Sequence, residues 1–419
     1  MKASHLFLRQ EKGAQKELKK GAVLRTQPSF FLKFLFFRRF FSLSKEKKRQ
    51  KKNVKKYVPI LTNECICDII HSVYICGRMP LRAERRSVME NGAFHHVPIM
   101  VREVTDLLEP KRGGVFVDGT LGGGGHSEAI LDLLPDTGRL IGIDRDETAL
   151  RAATERLRSF GDRFTAIHGN FFHMKTLLLQ RGVTGVDGIL LDLGVSSYQL
   201  DEPSRGFSYK AEAPLDMRMD QSAPLTAADV VNGYAEKDLV RIFRDYGEER
   251  FSPGIARRIC EERAKKPIET TTELADIVAG AIPAKFRHRE QQHPARRCFQ
   301  AIRIEVNGEL QGLRDAVDGC IDLLNPGGRI VVLTFHSLED RIVKTAFKTA
   351  ENPCVCPPKS PQCVCGRTPY GKVLTKHPLT ACEAEQKENS RSACCKLRAL
   401  EKLDGGIGTG KNTYREGRA

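Results

Sequence analysis

Between about residue 95 and residue 350 the apolar positions fall into two alternating kinds of run. Short β-rich runs, Val115–Val117, Arg139–Ile143, Phe164–His168 and Gly188–Asp192, each end at or just before an acid or a glycine. Longer stretches with apolar residues three and four apart lie between them and predict helices over Pro98–Leu108, Ser127–Leu134, Glu147–Phe160 and Phe172–Arg181. Strand and helix in strict alternation predict a parallel sheet covered on both faces. From about Gln199 to His293 the strand signal stops, and amphipathic helices are predicted over Thr226–Asn232, Glu236–Asp245, Ser252–Glu262 and Thr271–Ala281. The first pattern then returns, with one or two helices over Phe299–Leu323 ending at Asn325-Pro-Gly-Gly328, a strand over Arg329–Phe335 and a helix over Leu338–Lys348. The pattern describes an α/β, Rossmann-like domain with an inserted, mainly helical domain.

Five segments follow: a basic extension at 1–88, the first part of the α/β domain at 89–198, the helical insertion at 199–293, the second part at 294–403 with its cysteine-containing segment, and a flexible tail at 404–419. The formal net charge of +16 resides in the first of these, where 22 Lys and Arg face 6 Asp and Glu; the remainder holds 46 of each sign. Any polyanion affinity of the folded body therefore comes from local patches. In the extension, the run Phe30–Phe41 is interrupted by Lys33, Arg38 and Arg39 and is too short to span a bilayer, so no membrane association is expected. The extension is either an organelle transit peptide or a segment upstream of a start at Met79 or Met89. Thirteen scattered cysteines, an odd number, suit a reducing compartment. A cytoplasmic location is expected, with an organelle as the alternative.

The chemistry begins at the glycine loop Asp118-Gly-Thr-Leu-Gly-Gly-Gly-Gly-His-Ser127, set between a strand and a helix. Glycines there let backbone approach a ligand closely. About 20 residues on, the strand Ile141-Gly-Ile-Asp144 ends in a carboxylate placed to meet ribose hydroxyls. The acid that opens the loop, Asp118, is a poor neighbour for a pyrophosphate and a good one for the cationic end of a methionine moiety. Phe171 is placed to flank an adenine, and Asp192 ends the next strand. These features favour S-adenosylmethionine over a dinucleotide, and the lack of a GxxxxGK[ST] loop disfavours an ATPase.

Further segments, among them His96-Val-Pro98, Asp192-Leu-Gly-Val-Ser-Ser-Tyr-Gln-Leu-Asp201, Arg205-Gly-Phe-Ser-Tyr209, Leu215-Asp-Met-Arg-Met-Asp220, His293 to Gln300, Arg303 to Leu310, Thr334 to Arg341 and Arg391 to Arg398, make the chain resemble one family throughout. It is similar to the bacterial and organellar small-subunit ribosomal RNA cytosine-N4 methyltransferases. The resemblance implies an S-adenosylmethionine-dependent methyltransferase acting on the exocyclic amine of a decoding-centre cytidine in 16S rRNA, within the small ribosomal subunit or a late assembly intermediate. It implies cofactor contacts at Gly124, Gly125, His126, Asp144, Phe171, Asp192 and Gln199, to which the residue-level reading adds Asp118. It also implies that the helical segment recognises substrate. The basic extension and the pair Cys394-Cys395 depart from the family's pattern. Monomer and homodimer both remain open.

A cytosine amine is a weak nucleophile, because its lone pair is delocalised into the ring, so a hydrogen-bond acceptor must hold it in line with the methyl group. Asp192 is the first candidate, with Ser196, Ser197 and His336 as further catalytic candidates; the alternative for Asp192 is a turn cap. Candidate substrate contacts are Asp216, Arg218, Arg296, Arg297, Arg303 and Asn307. For Asp216 and Arg218 the alternative is a salt-bridged hinge, and for Arg296-Arg297 solvated surface. Cys354-Val-Cys356 and Cys363-Val-Cys365 are either a structural zinc site or free thiols. The competing functional classes are a non-catalytic RNA-binding assembly factor and a DNA amino-methyltransferase. Intact cofactor positions weigh against the first, and the absence of an Asn/Asp-Pro-Pro-aromatic motif weighs against the second.

Overall fold

The computed structural model describes residues 98–287, 293–357 and 362–404. The basic extension at 1–88 and the tail from 405 lie outside the described residues. Seven strands form one sheet: β1 Val115–Asp118, β2 Arg139–Asp144, β3 Phe164–His168, β4 Val186–Asp192, β5 Leu324–Thr334, β6 Gly371–Val373 and β7 Lys396–Lys402. Their spatial order is β3-β2-β1-β4-β5-β7-β6. Strands β1 to β5 pair in parallel, whereas β7 runs antiparallel to both β5 and β6.

Alternate residues of each central strand feed opposite cores, as a pleat of period two requires. Val117, Ile189, Leu191, Ile330 and Val332 face the helices Leu313–Leu323 and Ser337–Glu351. Phe116, Leu190, Val331 and Leu333 face the helices Val101–Leu108 and Gly125–Leu133. Both faces are buried, so β4 carries the consecutive buried residues Gly188, Ile189, Leu190 and Leu191 at its centre, as expected of a parallel sheet covered on two sides.

The helical segment has a core of its own, built on Leu239, Ile242, Phe243, Ile255, Ile259, Leu274 and Val278. Two predicted helices, Glu236–Asp245 and Thr271–Ala281, match the observed bounds. The helix Arg296–Asn307, grouped by sequence with the second part of the α/β domain, instead contributes Cys298, Phe299, Ala301 and Ile302 to this helical core. Its apolar stripe, rather than its position after His293, decides where it packs.

The sheet and the helical core are joined by a buried ion pair. Asp146 caps the helix Glu147–Arg156 by accepting from Thr148 N–H, and its other oxygen accepts from Arg205 at 2.9 Å. Arg205 also donates to the carbonyls of Arg218 and Met219, which holds the turn of the insertion against the end of β2. Asp146 and Arg205 are 3% and 4% exposed, so neither charge can fall back on water. Truncating one partner of such a pair leaves the other buried and unpaired, at a cost of about 3–5 kcal/mol. Arg205→Ala is accordingly expected to lower unfolding free energy by about that amount in denaturant titration. Arg205→Met combined with Asp146→Asn should recover part of the loss; a cost below about 1 kcal/mol for the single variant would contradict the joint.

Candidate active site

The strand order reverses direction between β1 and β4, and the loops leaving these two strands face one another there, the place where open α/β sheets bind ligands. Thr120 and Asp192 tie the loops together, with Asp192 N–H donating to Thr120 Oγ1 at 2.6 Å. Between the sheet edge and the helical core lies a cleft of about 1320 Å³. Its walls include Gly122, Gly123, Gly125, His126, Asp144, Phe171, Asp192, Gln199, Arg303 and His336.

The glycine loop is held from beneath. Asp118, 1% exposed, accepts from Ser127 Oγ at 2.7 Å and from Thr120 N–H at 3.2 Å, and it does not reach the cleft. Its expected contact with a ligand's cationic end is thereby corrected: it organises the loop and contributes field rather than touch. Burial pushes its carboxyl up from the ordinary range. Gly124 is likewise a packing position, because it turns with φ +77° and a Cβ there would come within 3.2 Å of Ala153. The cleft wall is made instead by its neighbours Gly123 and Gly125.

Asp144, at the end of β2, accepts from Gly122 N–H at 2.7 Å and from Asp146 N–H at 2.9 Å and still faces the cleft. Burial, then repulsion from Asp146 and Asp118, raises its pKa. Phe171 follows β3 and packs edge-on against Phe172, presenting an apolar wall. His126 Nε2 meets the Ile99 carbonyl at 2.8 Å, which makes Nε2 the donor and turns Nδ1 toward Asp192 Oδ2 at 3.6 Å. Asp192 Oδ1 is buried without a hydrogen-bond partner. Burial above all, with Asp118 and Glu339 adding to it and His126 opposing it, pushes the Asp192 carboxyl up to about 6.

Several residues placed in the chemistry by sequence make structural contacts, and some of these lie away from the cleft. Ser196 caps the short helix Ser197–Asp201 by accepting from Gln199 N–H, while Gln199 Oε1 accepts from Ser196 N–H and its amide donates to Asp146. Ser197 opens that helix, and its side chain lies outside the described residues. His336 caps the helix Ser337–Glu351 through Nδ1 in the same reciprocal manner with Glu339, while its buried Nε2, 3.1 Å from Glu339 Oε1, makes no hydrogen bond and the residue lines the cleft. Asp216 and Arg218 form a bidentate pair, with Arg218 also donating to the carbonyls of Gln221 and Ala223, and neither reaches the cleft. Asn307 clasps the same turn through Met217 O and Met219 N–H, away from the cleft wall. Arg297 leans on Glu249 at 3.6 Å, outside the cleft. Arg303 does line the cleft, but its fork is engaged by Glu309 at 2.7 and 2.8 Å. Of the pair Arg296-Arg297, Arg296 is the one on the cleft wall.

Sequence reasoning missed the aromatic and basic groups of the helical side. Tyr198 lines the cleft and is 51% exposed, Tyr209 stacks on His293 at 4.7 Å, and Lys210 and Arg391 complete that wall. The Tyr-Gln and Tyr-Lys neighbours carry no periodic signal; Tyr198, Tyr209 and Arg391 fall within the family-like segments, but nothing there singled out their side chains. Arg391 reaches the wall because it pairs with Asp201, bringing the C-terminal segment onto the site.

A sheet of this order, with a glycine loop, a cleft-facing acid at the end of β2 and an unpaired acceptor at its switch point, defines a Rossmann-like methyltransferase. Residues 93–403 match the pattern of the MraW methylase family, and the chain belongs to that family. It is 54% identical over 310 residues to "Ribosomal RNA small subunit methyltransferase H" of Carboxydothermus hydrogenoformans, covering 74% of this chain and 98% of that protein. It is 55% identical over 312 residues to "Ribosomal RNA small subunit methyltransferase H 2" of Agathobacter rectalis, covering 74% and 99%. Among solved structures, it is similar to an SAM-dependent O-methyltransferase from Thermotoga maritima at 9% identity and TM-score 0.30, covering 72% of this chain and 64% of that one. It is also similar to Aeropyrum pernix fibrillarin with natively bound S-adenosyl-L-methionine, at 9% identity and TM-score 0.28, covering 69% and 66%. These two likenesses are too distant to bear on the chemistry. No helix of the described residues is long and apolar enough to cross a membrane.

The raised pKa of Asp192 has a consequence for stability. Because it lies above that of an unfolded aspartate, ionising this group opposes folding: the cost is absent below about pH 4, grows from there, and is complete above about pH 6. Asp192→Asn is therefore expected to be more stable than the parent at pH 8, by up to about 3 kcal/mol, with the gain vanishing at about pH 4. Thermal unfolding across that range checks it, and a pH-independent difference would contradict the strained carboxylate.

Proposed function

We propose that this protein transfers a methyl group from S-adenosylmethionine to the exocyclic N4 amine of a decoding-centre cytidine in 16S rRNA, within the small ribosomal subunit or a late assembly intermediate. The observation that carries the reading is Asp192 Oδ1, a buried acceptor with no partner on the wall of the cleft, at the edge where β4 ends. The names of the relatives support an rRNA substrate in the small subunit.

The residues present fit the methyl donor. Three carboxylates gather at or under the ends of β1, β2 and β4, and among the described residues no Lys or Arg forms an ion pair with Asp192. That field is complementary to a cation. When bound, S-adenosylmethionine supplies an electrophilic methyl group on a positively charged sulfur. Asp144 has acceptor capacity left for ribose hydroxyls, Phe171 offers an apolar wall to the adenine, and Gly123 and Gly125 allow close approach.

Asp192 performs the remaining work. Its free Oδ1 accepts the amine's N–H, which turns the nitrogen lone pair out of conjugation, and it is poised to take the proton that the methylated amine sheds. A pKa near 6 leaves the group ionised at neutral pH and still basic enough for that task. Opposite, Tyr198 and the Tyr209–His293 stack suit an unstacked base, and Lys210 and Arg296 suit its flanking phosphates.

Small-subunit particles from cells lacking the enzyme, incubated with labelled S-adenosylmethionine and digested to nucleosides for mass spectrometry, are expected to yield N4-methylcytidine at one decoding-centre position. Asp192→Ala should lower turnover at saturating cofactor by about 10² or more, the loss typical of one aimed hydrogen-bond partner, while weakening cofactor affinity by roughly tenfold or less. Methylation of another nucleoside, or of DNA alone, would overturn the substrate. Near-parental turnover of Asp192→Ala would overturn the role of the carboxylate.

A further inference from the structure

We propose that Cys354, Cys356, Cys363 and Cys365 bind a single zinc ion as a tetrahedral tetrathiolate, which staples the loop between the helix Ser337–Glu351 and β6. The four sulfurs all lie within 4.8 Å of one another. Cys354 and Cys363 are 3.6 Å apart, Cys356 and Cys363 3.9 Å, Cys363 and Cys365 3.5 Å, and Cys354 and Cys365 3.8 Å. Zinc–sulfur bonds of about 2.3 Å in tetrahedral array put the sulfurs about 3.8 Å apart. The side chains thus converge on one ion-sized point. Two disulfides would instead draw the sulfurs into two bonded pairs at about 2 Å. An iron–sulfur cluster shares its thiolates among several irons and spreads them wider than one ion does.

Of residues 351–357 and 362–369, only Pro353 is buried. Val355 and Val364, the middle residues of the two Cys-Val-Cys units, are 62% and 84% exposed. Apolar burial therefore does not hold the two units together, and the sulfurs meet across seven to eleven residues of chain without a core beneath them. Val364 N–H also donates to Cys356 Sγ at 3.3 Å, the kind of backbone bond that steadies a thiolate. Four thiolates at these separations repel one another unless a cation lies between them. On binding, each thiol gives its proton to solvent as its sulfur–zinc bond forms, and no oxidant or reductant is needed.

The site is structural rather than catalytic. The helix Ser337–Glu351 starts at the cleft, where His336 caps it, and its far end leads into the loop. The loop returns at Gly371, which pairs with Lys402 at the end of β7, whereas Lys396 at the start of β7 pairs with Thr334 on the cleft side. The base of the loop is closed by Tyr370 N–H to Ala350 O at 3.0 Å and Val373 N–H to Glu351 at 3.2 Å. The zinc would thus fasten the edge strand β6, three residues long, to the sheet's far side.

Full-length protein purified under reducing conditions, without chelator or added metal, should contain about one zinc per chain by plasma mass spectrometry. Cys354→Ser with Cys363→Ser should bring this close to zero and lower the melting temperature, with cofactor binding retained by calorimetry. Should those variants fail to fold, cobalt(II) exchange into the parent protein keeps the question open to test, because tetrahedral thiolate coordination gives it visible absorption bands. Zinc near zero with all thiols free, iron in its place, two disulfides on thiol titration of the unfolded protein, or cobalt without those bands would each overturn the proposal.

Discussion

Crowding of negative charge at the carboxyl edge of the sheet is the constraint from which the rest of the site follows. Parallel strands β1, β2 and β4 end side by side, and each ends in an aspartate. Burial raises the pKa of all three groups, and for two of them proximity compounds it, since Asp118 raises both Asp144 and Asp192. Asp118 and Asp144 are partly satisfied by backbone and hydroxyl donors, whereas Asp192 retains an oxygen with none. The stability given up there is recovered only when a cation or an N–H donor arrives, which is how strain at a functional site becomes binding and positioning energy.

Polar residues of the motifs serve two purposes, and most serve the second. A few face the reacting groups. The others build joints between the sheet and the helical core: Asp146 with Arg205, Arg145 with the Asn307 carbonyl, Asn307 with the Met217–Met219 turn, and Arg303 with Glu309. In the function proposed, the substrate lies on the side of the helical core and the methyl donor on the side of the sheet, so these joints would set the distance over which the methyl group travels. A displacement of about 1 Å there is enough to cost roughly two orders of magnitude in rate.

Periodicity made the parallel sheet and the helical insertion legible, because buried central strands and amphipathic helices write their environment into local sequence. The strands β6 and β7 left no such trace. Lys396-Leu-Arg-Ala-Leu-Glu-Lys402 is rich in residues that favour helices, yet it becomes a strand because β5 supplies a full antiparallel ladder and Asp340 neutralises Arg398 inside the sheet edge. The cofactor loop and the acids at strand ends were readable from spacing. The capping roles of Ser196 and His336 were not, since a cap depends on where a helix starts, and element boundaries are the least determined part of any pattern. Nor could the sequence separate Arg296 on the cleft wall from Arg297 on its outer side, a difference of about 100° around one helix.

The central claim is that a strained Asp192 carboxylate, its pKa pushed up to about 6, awaits a positive charge, and proton linkage measures it directly. A cation bound beside the carboxylate lowers its pKa, so binding near pH 6 must release protons. Calorimetric titration of S-adenosylmethionine at that pH, in buffers of different ionisation enthalpy, should show proton release that is much smaller with the uncharged S-adenosylhomocysteine and lost in Asp192→Asn. Equal proton release for the charged and uncharged ligands, or release undiminished in Asp192→Asn, would contradict it.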